Sequence, residues 1–410
     1  MRIYPLENTV MPYAWGSVDG LGAVLGLANQ GGGPQAELWM GAHPRAPSTL
    51  VLPEGRRPLD SMIASDPERM IGRAVASRFG KTLPFLFKAL SAAQPLSIQV
   101  HPSRRKAERG FEKENAVGIA IDSAERNYRD PNHKPELSVA LTRFKALVGF
   151  RPTEDIAGFG RVLGAGNIRK HFEGLEKRPD RMELSVFFYA LMTLPPDARG
   201  ELVQGAVKEA ERILDEGEET PERLLAWSWV LRLSKLWPKD IGVLAPLIFN
   251  VVELDPGEAI FIAPGEPHAY LEGTALEIMA NSDNVIRCAL TEKHVDVAEF
   301  ISVLGFDAGT QPKISSTRLQ PGIERFNCDV SEFSLSRIDA ASRPVFESSG
   351  PEILLCSDGQ PVIRSGGESL ELARGRSAFV CASAGQWSLG GAGTLWRATV
   401  GDSSLAAPGA

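Results

Sequence analysis

The ten residues LSIQVHPSRR, 96–105, alternate apolar Leu96, Ile98 and Val100 with polar Ser97, Gln99 and His101. A period of two predicts a strand that carries Ser97, Gln99 and His101 on one face. The same texture, short apolar runs between Gly- and Pro-rich turns, fills residues 1–60 and 81–152. Residues 59–80 read as one helix stopped by Gly80, and 103–115 as a charged helix or loop. Near Pro152 the period changes. Leu202, Val203, Ala206, Val207, Ala210, Ile213 and Leu214 fall at helical spacing, and Thr220 with Pro221 forms a helix start. From about 247 the strand texture returns, with one short helix in 292–306, and residues 315–402 are short strands broken by Gly, Ser and Asp. The pattern predicts a mainly β chain of barrel or sandwich domains with an inserted α-helical domain. Residues 1–151 and 247–314 would form the two parts of the first β domain, 152–246 the helical insert, 315–402 a C-terminal β domain and 403–410 a disordered tail.

Composition narrows the function classes. The 410 residues are 43% hydrophobic and 23% charged, with a net charge of −7. That balance argues against binding a nucleic-acid backbone, while leaving room for a local basic pocket that holds a small phosphorylated molecule. No apolar run approaches the roughly 18 residues of a membrane helix, and the first residues lack a signal-type apolar core. Cys288, Cys328, Cys356 and Cys381 are scattered without a C-x-x-C pair. They are expected to be reduced thiols in a cytoplasmic protein, a monomer or a dimer.

Four polar constellations stand out. In SIQVH, 97–101, a lone histidine on a wetted strand face is the plainest reading of those residues alone. DPNHKPELSVA, 130–140, places His133, Lys134 and Glu136 on a proline-stiffened turn, which by itself also fits an exposed charged turn. DPGEAIFIAPGEPHAYLEG, 255–273, runs a strand into a tight turn that presents His268 at the start of the next; the spacing partly resembles the second metal motif of cupin barrels. ALEIMANSDNVIRCALTEKH, 275–294, carries Glu277 opposite in face to Leu276 and Ile278, then Arg287, for which a surface ion pair is the bland alternative. Read together, one Gln and one His on a strand face, one Glu after a turn and one His after another make a mixed imidazole, amide and carboxylate donor set with a single negative charge. Such a set suits a divalent ion such as zinc that keeps net positive charge toward substrate oxygens. Ser97, Lys134, Arg287 and Lys293 suit an anionic, hydroxyl-rich ligand. His43 reads as packing or hydrogen bonding, His171 and His294 as exposed, and the tryptophans of AWSWVLRLSKLW as helical core.

YAWGS, AELWMGAHPRAPS, PLSIQVHPS, HKPEL, GEPHAYLEG and SDNVIR occur in this order over residues 1–300. In this the chain resembles the type I mannose-6-phosphate isomerases of the cupin superfamily. The resemblance implies cupin-type β-barrel (jelly-roll) domains with a helical domain, one zinc ion, and interconversion of mannose 6-phosphate and fructose 6-phosphate. It implies Gln99, His101, Glu136 and His268 as metal ligands and Arg287 as an essential active-site arginine. It implies Trp15, Ser97, Lys134, Tyr270, Glu277, Asp283 and Lys293 as substrate-pocket positions. RCALTEKH departs from many members, which carry a Gly after Arg-Ala and a Thr-Pro-Lys, so the match at Lys293 is less defined. Moving a proton between C1 and C2 through an enediol(ate) needs a base, for which Glu277 and Lys134 both qualify, with His133 as an aid to ring opening. Two other readings fit the residues: a metal-dependent isomerase or epimerase of another phosphosugar, and a non-catalytic sugar-phosphate-binding cupin.

Overall fold

The computed structural model describes residues 2–163 and 169–401; the tail expected at 403–410 lies outside the described residues. Its strands form sheets of ten, nine and four strands. The ten-stranded sheet is organised by one long strand, His268–Ala280. Its first half pairs antiparallel with Phe144–Phe150 and, at His268, with Ile98–Val100. Its second half pairs with Phe85–Ala92 and Glu136–Ala140. Between the halves the register shifts after Tyr270, and Gly273 adopts φ +108°. A Cβ at Gly273 would lie 2.5 Å from the Arg143 carbonyl oxygen, so the close crossing of the two chains needs a glycine. The bend lets one strand serve both walls of a cupin-like barrel.

Alternation along this strand sorts its side chains. Ala269 and Leu271 face out against the helical core, Leu276 and Ile278 face out against the core between the two large sheets, and Tyr270 and Ala275 line the barrel interior. Glu277, between Leu276 and Ile278, therefore points inward.

The helices lie outside the barrel wall. Arg181–Met192, Pro196–Glu216 and Pro221–Leu236 pack a core that includes Trp227 and Trp229, both fully buried. The expected start at Thr220 is present: its hydroxyl accepts the Arg223 N–H at 3.4 Å, and Pro221 opens the helix. One expectation is corrected. Residues 59–80 form three short helices, Leu59–Ser65, Pro67–Ile71 and Arg73–Phe79. Asp66 caps the second, with Pro67 at its first turn, and Gly72 at φ +85° separates it from the third. The charged segment after His101 is a helix, Arg104–Ala116.

The nine-stranded sheet draws on both ends of the chain. Ile3–Glu7 pairs with Ser377–Val380 on one side and Thr49–Leu52 on the other. Ile3 enters the C-terminal core while Tyr4 and Leu6, on the opposite face, enter the core between the large sheets. Both faces of this first strand are thus buried, which holds it in the C-terminal sheet. Sheet membership and chain order diverge here: of residues 1–151, Ile3–Glu7 and the hairpin Thr49–Leu52/Gly55–Pro58 serve the C-terminal sheet.

Candidate metal centre

His101 leaves the end of Ile98–Val100, whose Ile98 and Val100 are anchored in the core on the helical side. Gln99, between them, therefore faces inward with His101. Gln99 is paired across the sheet with His268 on one side and Arg287 on the other. Residues directly opposite in neighbouring strands share a face, so Arg287, Gln99 and His268 form a row across three strands, with His101 beside it.

His101, Glu136 and His268 converge, with one donor atom from each lying within 4.8 Å of the others, and all three are buried. The imidazoles are fixed from behind. His101 Nδ1 lies 2.7 Å from the Asn284 carbonyl oxygen, and His268 Nδ1 lies 3.0 Å from that of Glu266. A carbonyl only accepts, so each Nδ1 carries the proton and each Nε2 presents its lone pair to the centre. Both Nε2 atoms are buried without a hydrogen-bond partner among the described residues. The Glu136 oxygens lie 3.3 and 3.5 Å from them, but a lone pair facing a carboxylate is no bond. Burial and the Lys134 cation pull the His101 imidazole down to about 3, and burial lowers His268 as well, so both rings are neutral. Burial alone would raise Glu136, yet the Lys134 cation, with Nζ at 2.9 Å, holds its carboxyl well below the usual range. Two neutral imidazoles and an ionised carboxylate around a common point form a donor set that fits zinc, and buried, unpartnered lone pairs are costly without such a partner.

A second buried group lies further along the same strand. Lys88, paired in register with both Glu277 and Trp39, places Nζ 3.0 Å from Glu277 and 3.6 Å from Glu37. The Tyr270 hydroxyl donates to Glu277 at 2.7 Å and lies 2.8 Å from the Ser138 hydroxyl. The Trp39 indole donates to Glu37 at 2.7 Å. Burial and the negative charge of Glu136 push the Glu277 carboxyl up, against the pull of Lys88. Burial and the neighbouring carboxylates raise Tyr270. Lys88 and Glu37 were not singled out from sequence; the available signal was a lone lysine in the otherwise uncharged run FLFKALSA, which is buried throughout.

The remaining expected positions divide. Arg287 is half-buried and has no carboxylate partner among the described residues; burial and the charge of Arg129 lower it. Lys293 is exposed, lowered by partial burial and by Arg287, Arg45 and Arg129, so these cations gather on one side. Asp283 turns to His43 and Arg45, at 3.4 and 3.5 Å. Burial would raise its carboxyl, but the His43 contact pulls it down to about 2. Trp15 and Leu96 pack against the barrel-interior cluster, and Ser97 is half-buried beside Leu96. His133 points to Glu332 rather than to Glu136. His43 is buried, His171 half-buried and His294 exposed.

Comparison with known proteins agrees with this geometry. Residues 3–153 match the family model of the phosphomannose isomerase type I catalytic domain, and residues 323–400 that of the mannose-6-phosphate isomerase cupin domain. The chain is 41% identical over 396 residues to mannose-6-phosphate isomerase of Escherichia coli K12, covering 96% of this chain and 98% of that one. It is 35% identical to mannose-6-phosphate isomerase 1 of Arabidopsis thaliana, with 88% and 84% covered. It superposes with a TM-score of 0.88 at 39% identity on the Salmonella typhimurium enzyme bound to fructose 6-phosphate and zinc, covering 98% of this chain and all of the other. The chain belongs to the type I mannose-6-phosphate isomerase family.

Proposed function

We propose that this protein is a zinc-dependent aldose–ketose isomerase that interconverts D-mannose 6-phosphate and D-fructose 6-phosphate. The observation that carries the reading is the pair of buried, unpartnered Nε2 lone pairs of His101 and His268 facing ionised Glu136. His101, Glu136 and His268 would hold zinc, with the amide of Gln99 from the same row as fourth ligand. Zinc bound there supplies a fixed positive charge that polarises substrate oxygens.

The chain's own groups account for the rest. Arg287, with no carboxylate partner among the described residues, offers a guanidinium to the negative charge that develops on the enediolate oxygens. With Lys293 and Ser97 it lies on the side suited to the phosphate. Isomerisation needs one group to take a proton from one carbon and return it to the other. Glu277 suits this task because its carboxyl is raised toward the working pH and held in place by Tyr270 and Lys88. Lys134, tied to Glu136, is the competing candidate. Trp15, Tyr270 and Asp283 shape the pocket, and the Ser138 hydroxyl fixes that of Tyr270. No helix among the described residues is long and apolar enough to cross a membrane. All four cysteines are free thiols, which supports a cytoplasmic protein; it would act as a monomer or dimer.

A coupled assay with mannose 6-phosphate and fructose 6-phosphate, with and without chelator, tests the reading. Turnover should vanish on zinc removal and return on zinc addition; turnover unaffected by chelation would reject the metal role. Glu277→Gln should abolish exchange of the C2 proton with solvent deuterium, whereas retained exchange that is lost in Lys134→Met would move the base to Lys134.

A further inference from the structure

The turn 130–135 leads into the strand that begins with Glu136 and is gripped from two sides. On one side Asn284 donates to the Asp130 and Asn132 carbonyls at 2.7 and 2.9 Å and accepts the Arg129 N–H at 2.7 Å. On the other side stands Glu332, from the connection between Ile323–Phe326 and Ser334–Asp339 in the C-terminal sheet. Glu332 is 5% exposed. Its Oε1 accepts from Arg104 Nη2 at 2.9 Å and lies 2.8 Å from His133 Nε2, while Oε2 accepts from the Ser331 hydroxyl at 2.9 Å. Arg104 also donates to the Asn132 side chain at 3.1 Å.

These contacts meet the metal centre at two points. Arg104 is three residues beyond His101, and His133 is three residues before Glu136 and next to Lys134. The side chains of the neighbours His133 and Lys134 diverge: His133 reaches Glu332 and Lys134 reaches Glu136. One buried carboxylate from the connection in the C-terminal sheet thus braces two of the three chain segments that deliver His101, Glu136 and His268.

We propose that Glu332 is a positioning residue for the isomerase: through His133 and Arg104 it fixes the segments that aim Lys134, Glu136 and His101. This rests on the function proposed above. Charge-assisted hydrogen bonds from a buried carboxylate are among the stronger positional restraints available to a protein. Arg104 and His133 are 44% and 23% exposed in their side chains, so without Glu332 they can turn to water and the fold survives while the turn loosens.

The test uses the full-length, zinc-loaded enzyme with Glu332→Ala, Glu332→Gln, His133→Ala and the double variant Glu332→Ala/His133→Ala. The readouts are kcat, KM, zinc affinity by chelator competition, and Tm. Outer contacts of metal ligands typically carry about ten- to a hundredfold in affinity or activity. Glu332→Ala should lower kcat by about tenfold with KM little changed, and should weaken zinc binding. Glu332→Gln, which keeps an acceptor oxygen and the side-chain volume, should lose less. The double variant should be no worse than the poorer single variant, because the two residues act as one contact. Arg374→Ala cuts another link of the C-terminal sheet, to the Val24 carbonyl, and should leave kcat unchanged. A lower Tm with kcat and zinc affinity intact, additive losses in the double variant, or an equal loss in Arg374→Ala would each overturn the proposal. If Glu332→Ala does not fold, Glu332→Gln carries the same comparison. Wild-type protein that binds zinc but does not turn over mannose 6-phosphate would reject the function while the zinc-affinity comparison still decides the role of Glu332.

Discussion

Lys88 shows how much of the centre a single residue holds in place. It is buried between Glu37 and Glu277, and those carboxylates raise its pKa against the opposing effect of burial. Removing one partner of a buried charge cluster costs about 3–5 kcal/mol, because the other charges are left unpaired. In Lys88→Met, Glu277 keeps the Tyr270 hydroxyl and Glu37 keeps the Trp39 indole, which limits the damage. The expected loss is therefore at the lower end, about 3 kcal/mol by urea unfolding, with activity falling at least tenfold as Glu277 loses its cation. Stability at wild-type level would show that Lys88 does not carry this charge balance. The histidines and Glu136 were legible because each sits beside a turn with its own sequence mark. Lys88 and Glu37 were not: each depends on a partner brought across the sheet, and pairing across strands leaves no mark in either strand alone. Gln99 and Arg287 could be picked out only through their motifs, and it is register that sets them in one row with His268.

At the scale of elements, the site depends on a strand that changes walls midway. His268 and Tyr270 sit before the bend at Gly273, and Glu277 after it. The distance between His268 and Glu277 is therefore set by backbone geometry at one glycine. Gly273→Ala would place a Cβ 2.5 Å from the Arg143 carbonyl oxygen at φ +108°, so the bend must open. Backbone strain of this kind costs of order 1–3 kcal/mol before any clash is relieved. The variant should melt at a lower temperature and bind zinc more weakly than wild type, measured by thermal unfolding and chelator competition. A variant with lowered Tm and unchanged zinc affinity would show that the bend serves folding alone. Elements were legible where local chemistry announces them, as at Thr220 and Pro221. The three helices of 59–80 carried the same kind of mark, Asp66-Pro67 and Gly72, beneath an apolar pattern continuous enough to suggest one helix. The bend at Gly273 had no such advertisement, because a glycine inside a strand pattern also fits a simple weak point.

Across the whole molecule, the barrel and the C-terminal sheet are joined by burial and by charge. The core between the large sheets takes Leu276 and Ile278 from one and Phe326, Leu335 and Trp396 from the other, together with Tyr4 and Leu6 of the first strand. That mainly β architecture with helices outside it was legible from the change of period. The entry of the first strand into the last sheet was not, since it joins segments more than 370 residues apart. Glu332 adds a charged link at the same junction, and its pH dependence can be worked out. Burial alone would raise its carboxyl, but the hydrogen bond and charge of His133, with Ser331, outweigh this and pull it down to about 2 from the ordinary 4.5. A carboxylate depressed in the folded state contributes stability that is fully present above its unfolded value. It is lost as pH falls from about 4.5 toward about 2, because the unfolded chain takes up the proton first. At about 1.4 kcal/mol per pKa unit, the contribution is on the order of 3 kcal/mol, with roughly 40% gone by about pH 3.5. Glu332→Gln cannot titrate. Its stability difference from wild type, measured by urea unfolding, should shrink steadily below about pH 4.5. A difference that stays flat down to about pH 3 would mean that His133 does not hold this carboxylate ionised.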